Sequence, residues 1–266
     1  MNAVLNKNLW FHQNENPILC FLHLPRTGGT ALNRVLKYAF QDRAIFHADL
    51  LAEHGGEAGL SAALSDGQAI YGKALIFTGH YGVAHPLVVK APHPIAIAAV
   101  LRHPLERIAS LYDYIRGTPD HPEHAALSRL TLNQAMDSVP EFAAHCRDAQ
   151  LHTLFNATDQ NGIRAALCRY PYFLARMEAL DLFAQRLLAL FGLKLGGALP
   201  RFNERPLMAG VAPARSQQDY TAALARLEGY NRAERDFYAR LPPVFTSRPP
   251  LFPGVPIANA PKSFRG

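Results

Sequence analysis

Cysteine is scarce in this 266-residue chain, where Cys20, Cys146 and Cys168 are the only three. Their odd number and wide spacing exclude a disulfide framework and a CxxC metal knot, and a reducing cytosol suits them better than secretion. Long apolar runs are missing as well. No stretch approaches the roughly 20 residues of a membrane span, and the opening MNAVLNKNLWFHQNENP has no apolar core of the signal-peptide kind. Also absent are the Gly-x-x-x-x-Gly-Lys-Ser/Thr of a Walker A loop, the Gly-x-Gly-x-x-Gly dinucleotide fingerprint and the His-Glu-x-x-His of zinc hydrolases. There is no internal repeat and no low-complexity tract. Charged residues make up only 18% against 49% hydrophobic, which excludes a disordered chain, a coiled coil and a collagen-like polymer.

Lysine is the last shortage. Lys and Arg together number 27 against 21 Asp and Glu, for a net charge of +6, and only 6 of the 27 are Lys. A positive balance favours an anionic partner, and the planar fork of arginine suits phosphate and sulfate oxygens. No basic stripe interleaves with aromatics, so no nucleic acid partner is expected. The 12 histidines invite a metal reading. His121 with His124, and His145 with Cys146 and His152, are the nearest groupings, but neither has a metal-ligand spacing and no metal is expected.

What is present is an alternation of strand and helix patterns. Residues 18–24 and 95–101 are compact apolar runs that read as buried strands, with weaker strands over 43–48, 73–78 and 172–175. Leu32, Val35, Leu36, Ala39 and Phe40 repeat at helical spacing after the first run, and Ile108, Leu111, Tyr112 and Ile115 after the second. Pro104 suits a first helical turn. Residues 53–67 read as loop plus a weak helix, 131–156 as a helix in two pieces split at Pro140, 179–191 as a helix, and 220–241 as one long amphipathic helix. The pattern implies a parallel α/β sheet in a single domain over 1–266, with an irregular Pro-rich tail at about 242–266.

Chemistry concentrates where the two strong strands end. Pro25-Arg26-Thr27-Gly28-Gly29-Thr30 lies between the first strand and its helix. Glycines there allow tight turning, N–H groups at a helix start face an anion, and Arg26, Thr27 and Thr30 add donors. An ordinary tight turn has the same look. Arg102 ends the other strand and Ser110 follows eight residues on, just over two helical turns. The pair suits a second phosphate; alternatively Arg102 pairs with Glu106 and Ser110 is a surface hydroxyl.

These segments resemble a known family. FLHLPRTGGTAL is similar to the 5′-phosphosulfate loop of sulfotransferases, of the form H-I-P-K-T-G-G-T-S-L, with Arg26 where Lys is commoner. VLRHPLERIASLYDYIR is similar to their 3′-phosphate motif, L-R-D-P-x-x-R-x-x-S-x-Y-x-Y. The branch is the one containing heparan sulfate 2-O-sulfotransferase and bacterial relatives. Phe77 to Gly82 resembles its Gly-His segment, with Thr78 in place of a first histidine, and Tyr230 to Tyr238 resembles its closing N-x-x-D-x-x-L-Y helix.

The resemblance implies a P-loop-like three-layer α/β/α fold with a central, mostly parallel sheet. It implies 3′-phosphoadenosine 5′-phosphosulfate (PAPS) as sulfuryl donor, giving adenosine 3′,5′-bisphosphate (PAP), and a small-molecule or glycan hydroxyl as acceptor. Arg26, Thr27, Gly28, Gly29 and Thr30 would hold the 5′-phosphosulfate, and Arg102 and Ser110 the 3′-phosphate. Arg205 would add a contact from a loop that closes on the nucleotide. His80 would be the general base, and Arg26 would stabilise the leaving phosphate. A cytoplasmic enzyme is the expectation. Two other readings use the same fold: a nucleotide-binding or sensing protein without catalysis, and a P-loop-like kinase.

Overall fold

The computed structural model describes residues 17–65, 68–199 and 217–247. Within them, one sheet contains β1 (Ile18–Leu22), β2 (Ala44–Phe46), β3 (Ile76–Gly79), β4 (Ile95–Leu101), β5 (Tyr172–Arg176) and β6 (Val244–Thr246). The spatial order is β2-β3-β1-β4-β5-β6. All neighbours pair in parallel except β6, which runs antiparallel to β5.

β1 and β4 are buried along their whole length, which is why they appear in the sequence as unbroken apolar runs. Their side chains still alternate between faces. Ile18, Cys20 and Leu22 join Phe77, Ile97 and Leu101 in one core, covered by Leu50, Leu60, Leu151 and Leu154 from helices His47–His54, Glu57–Ala63 and Ala149–Phe155. Leu19 and Phe21 join the opposite core with Leu32, Val35 and Leu36 of α1 (Gly29–Phe40) and Phe183 and Leu187 of the helix Leu180–Ala189. The sheet thus carries helices on both faces, a mixed α/β arrangement compatible with three layers. A third core, including Ile108, Leu111, Leu132, Phe142 and Leu227, gathers helices Pro104–Arg116, Leu132–Ser138 and Gln217–Tyr230. Among the described residues, no helix is long and apolar enough to cross a membrane.

The departures from the sequence expectation have local causes. The helix expected over 220–241 is two, Gln217–Tyr230 and Arg232–Arg240, because Asn231 spends its side chain on tertiary bonds. Its Nδ2 donates to the carbonyls of Cys146 and Leu227, both at 2.8 Å, and its Oδ1 accepts from the Asp148 N–H. The segment 131–156 forms three helices rather than two pieces, since Asp148 takes a left-handed φ of 43° just before Ala149. Within 53–67, expected as loop plus a weak helix, the helix is Glu57–Ala63, while His47–His54 takes the end of the strand expected over 43–48. Within the expected C-terminal tail, Val244–Thr246 pairs with β5, and residues 248–266 lie outside the described ones.

Phe183 is fully buried and stacks on Phe173 with ring centroids 4.7 Å apart. Phe183→Ala should cost about 3–5 kcal/mol in urea unfolding. Leu182→Ala, next to it but 39% exposed, should stay within about 0.5 kcal/mol. Equal losses would contradict the facing assigned to this helix.

Candidate functional site

From β1 the chain crosses β3 to reach β2 on one side, and from β4 it proceeds to β5 on the other. Outgoing connections therefore part between β1 and β4, the place where open α/β sheets bind ligands beyond their strand ends. Arg26 follows β1 and Arg102 follows β4, and the two meet there: Arg102 Nη1 donates to the Arg26 carbonyl at 3.4 Å. Arg26 itself has a left-handed φ of 66°. Its Nε donates to Ser110 Oγ at 3.0 Å, and its guanidinium lies 4.6 Å from the centre of the Tyr114 ring. Ser110, expected beside Arg102, thus bonds Arg26. Arg102 Nε lies 3.4 Å from Glu106 Oε2, the pairing weighed as an alternative from the sequence.

The turn between them is shaped by its glycines. Gly28 has a φ of 85° and precedes α1. A Cβ on Gly29 would lie 2.0 Å from Cδ2 and 2.4 Å from Nε2 of His23, so only glycine lets that ring close over the turn. Thr27 is buried and its hydroxyl donates inward to the Leu24 carbonyl at 2.9 Å, which serves the shape of the turn. Thr30 is exposed on the first turn of α1. That helix start has no side-chain cap and no acidic residue, so its positive end is uncompensated.

His80 leaves β3 beside the turn. Its Nδ1 lies 2.7 Å from the His23 carbonyl, an acceptor only, so Nδ1 carries the proton and the neutral ring presents a bare Nε2. The rings of His23 and His80 stack with centroids 4.4 Å apart. One edge of His80 is solvent-exposed, but this packing removes water from the rest and holds its pKa below the usual 6.5, against the upward pull of the carbonyl. Burial, reinforced by His80, takes His23 down to about 3.

Arg102 is held from behind by residues that carried no local signal. Gln150 accepts from the Arg102 N–H at 3.0 Å and donates to its carbonyl at 2.8 Å, clasping both backbone groups. Glu234, fully buried, accepts from the Gln150 backbone N–H at 2.8 Å and from its side-chain amide. Arg107, also buried, supplies the opposing charge, and its Nη2 donates to the His145 carbonyl. Burial raises the Glu234 pKa while Arg107 opposes that rise. Asn231, Glu234 and Tyr238 share one helix face at spacings of three and four. Tyr238 extends the brace by bonding Glu178.

Further histidines surround His80. His145 is shifted to about 4 by burial and then by Arg107 and His80. His47 packs against Gly79: a Cβ there would lie 2.4 Å from the His47 Cβ. His47, Glu57 and His85 have ligand atoms within 4.8 Å of one another, a convergence that positions 47, 57 and 85 give no way to foresee. His85 Nδ1 accepts from the Leu87 N–H at 3.2 Å, which leaves its proton on Nε2, facing Glu57 Oε2 at 3.0 Å. His47 Nε2 lies 3.2 Å from Glu57 Oε1, so the Glu57 carboxylate lies between the two rings. His121 and His124 are engaged locally, with the Glu123 N–H and the Ile115 carbonyl. Tyr112 is core, its hydroxyl on the Leu130 carbonyl, and Arg147 lies over the Tyr230 ring. Arg205 lies outside the described residues.

No protein-family model and no curated protein matches this chain.

The shifts of His23 and His145 have a stability consequence. Below about pH 6.5 the unfolded chain protonates both, while the folded chain keeps them neutral down to about 3 and about 4. Their contribution is whole above pH 6.5 and is lost as pH falls, toward about 4 for His145 and about 3 for His23. Unfolding midpoints should decline over that window, and His145→Gln should flatten the decline by about one proton's worth. An unchanged slope in the variant would contradict a buried neutral His145.

Proposed function

We propose that this chain is a PAPS-dependent sulfotransferase, moving a sulfuryl group to a hydroxyl of a carbohydrate or small-molecule acceptor. The observation that carries the reading is the meeting of three chain segments beyond the ends of the central strands β1, β3 and β4. An open helix start, Arg26 with its Nε on Ser110, Arg102 on the Arg26 carbonyl, and a histidine with a bare Nε2 are groups suited to two phosphates and one proton transfer. The strand order and the glycine turn after β1 support a P-loop-like fold, and the sequence resemblance names the donor.

The donor set suits such a nucleotide. The backbone N–H groups of Gly28, Gly29 and Thr30 and the Arg26 guanidinium suit the 5′-phosphosulfate. Arg102 and Ser110, whose own O–H remains to donate, suit the 3′-phosphate. When bound, PAPS supplies the sulfuryl group and a phosphate leaving group. In the reaction an acceptor oxygen–sulfur bond forms and the sulfur–phosphate oxygen bond breaks. The electron pair goes to the phosphate oxygen, where Arg26 and the turn offset the developing charge. His80 Nε2 receives the hydroxyl proton. A cytoplasmic enzyme fits this reading.

Labelled sulfate transfer to a panel of alcohols tests it. His80→Ala should abolish transfer while binding of adenosine 3′,5′-bisphosphate stays within about threefold. Arg102→Ala should weaken that binding by about 10- to 100-fold, the range for a charge-assisted hydrogen bond. Stabilisation by ATP with Mg²⁺ in place of the bisphosphate would indicate a kinase, and bisphosphate binding without transfer would indicate a sensor.

A base must be neutral to act. With the His80 pKa held below 6.5, the acid limb of kcat/KM should be centred below pH 6.5. A limb centred above 6.5 would assign the base elsewhere.

A further inference from the structure

His23 has a defined proton position that the proposed reaction has not yet used. Thr78 Oγ1 lies 2.6 Å from Asn33 Oδ1, and Asn33 Nδ2 lies 3.2 Å from His23 Nδ1. The first distance suits O–H···O and is short for N–H···O, while the second is a normal N–H···N separation. Thr78 therefore donates to the amide oxygen, and the amide nitrogen donates to His23. Nδ1 is thereby an acceptor, and a neutral imidazole with a bare Nδ1 carries its proton on Nε2. Asn33 stands one turn below Gly29 on α1, and side chains on a helix lean toward its start, which brings the amide to the ring. Thr78 is fully buried, so solvent does not compete at the far end of the relay.

The ring so fixed packs against Gly29 at the start of α1, with Nε2 2.4 Å from where a Cβ would be. It also stacks on His80. The same residue fixes two tautomers, its own through Asn33 and that of His80 through its carbonyl.

We propose that His23 is a second catalytic residue of this site, whose Nε2–H, held in place by Thr78 and Asn33, donates a hydrogen bond to an oxygen of the transferring sulfuryl group. This rests on the sulfotransferase reading. His23 gains and loses no proton in the step: His80 Nε2 takes the acceptor's proton, and His23 offsets charge on the sulfuryl oxygens as the sulfur passes between its two partners. A neutral donor suits a place beside a base, because a fixed positive charge at 4.4 Å from His80 would oppose protonation of that ring.

The full chain with ¹⁵N-labelled histidine, together with two variants, tests the assignment. The wild-type His23 signal should show the neutral Nε2–H form from pH 5 to 8. His23→Phe keeps an aromatic ring beside His80 but removes the donor. It should lower kcat for sulfate transfer about 100-fold, the range for loss of one oxyanion donor, with bisphosphate affinity within about threefold. His23→Gln, which restores an N–H near the Nε2 position, should recover at least about tenfold of that loss. An Nδ1–H tautomer overturns the proposal, as does a Phe variant whose kcat stays within about threefold. A Phe variant that loses bisphosphate affinity would place the donor on the 5′-phosphate and equally overturn it; circular dichroism and the Gln variant separate that outcome from misfolding. If the wild type itself moves no sulfate, the sulfotransferase reading fails first, and the NMR result still decides the tautomer.

Discussion

Parallel pairing of β3, β1 and β4 decides which residues leave the sheet together. Leu22 lies opposite Gly79, and Phe21 opposite Ala98, so the three strands run out side by side. The ladder continues one step further, with the His23 N–H on the Gly79 carbonyl at 2.8 Å. His80, His23 and Arg26 consequently emerge next to each other although up to 57 residues separate them. Slippage of β3 by one residue would exchange the cores that Ile76 and Phe77 enter and move His80 to the other side of the sheet. The apolar cores on both faces are what forbid that slip, so the position of a polar histidine depends on the burial of Phe77 and Cys20.

Charge at the site is organised in two tiers. Arg26 and Arg102 sit at the open end of the sheet, bonded to a hydroxyl, an exposed carboxylate and each other's segment. Behind them Arg107 and Glu234 are buried, their opposite charges in each other's field and their polar atoms largely taken by Gln150, the His145 carbonyl and nearby backbone. Breaking such a buried pair by removing one member is costly, because the other charge is left alone in a medium that solvates it poorly. Through Gln150, this buried charge pair is tied to the backbone of Arg102 at the open end of the sheet.

The legible part of the fold was the part written in local pattern. Five consecutive apolar residues at 18–22 and seven at 95–101 can only be buried, and the breaks at Pro25 and Pro104 mark where each chain segment turns. The glycine turn and the two arginines were visible because they follow those strands directly. Asn231 was illegible as a break, since its effect comes from bonds to Cys146 and Asp148, over 80 residues away. Gln150 and Asn33 sit on helices whose patterns would read the same with another polar residue there. Thr78 stands out in the sequence only as a substitution for histidine; its bond to Asn33 requires α1 and β3 to be adjacent, which no spacing announces.

The two margins of the sheet are its shortest members, β2 and β6, with three residues each. An exposed edge offers unpaired backbone groups to any passing strand, and brevity limits how many it offers. Between these margins lies IAIAAVL, a segment without charge, proline or glycine, the composition that stacks into cross-β aggregates when released. The sheet keeps its most self-adhesive peptide innermost, flanked by β1 and β5, so aggregation through β4 requires the centre of the protein to open first.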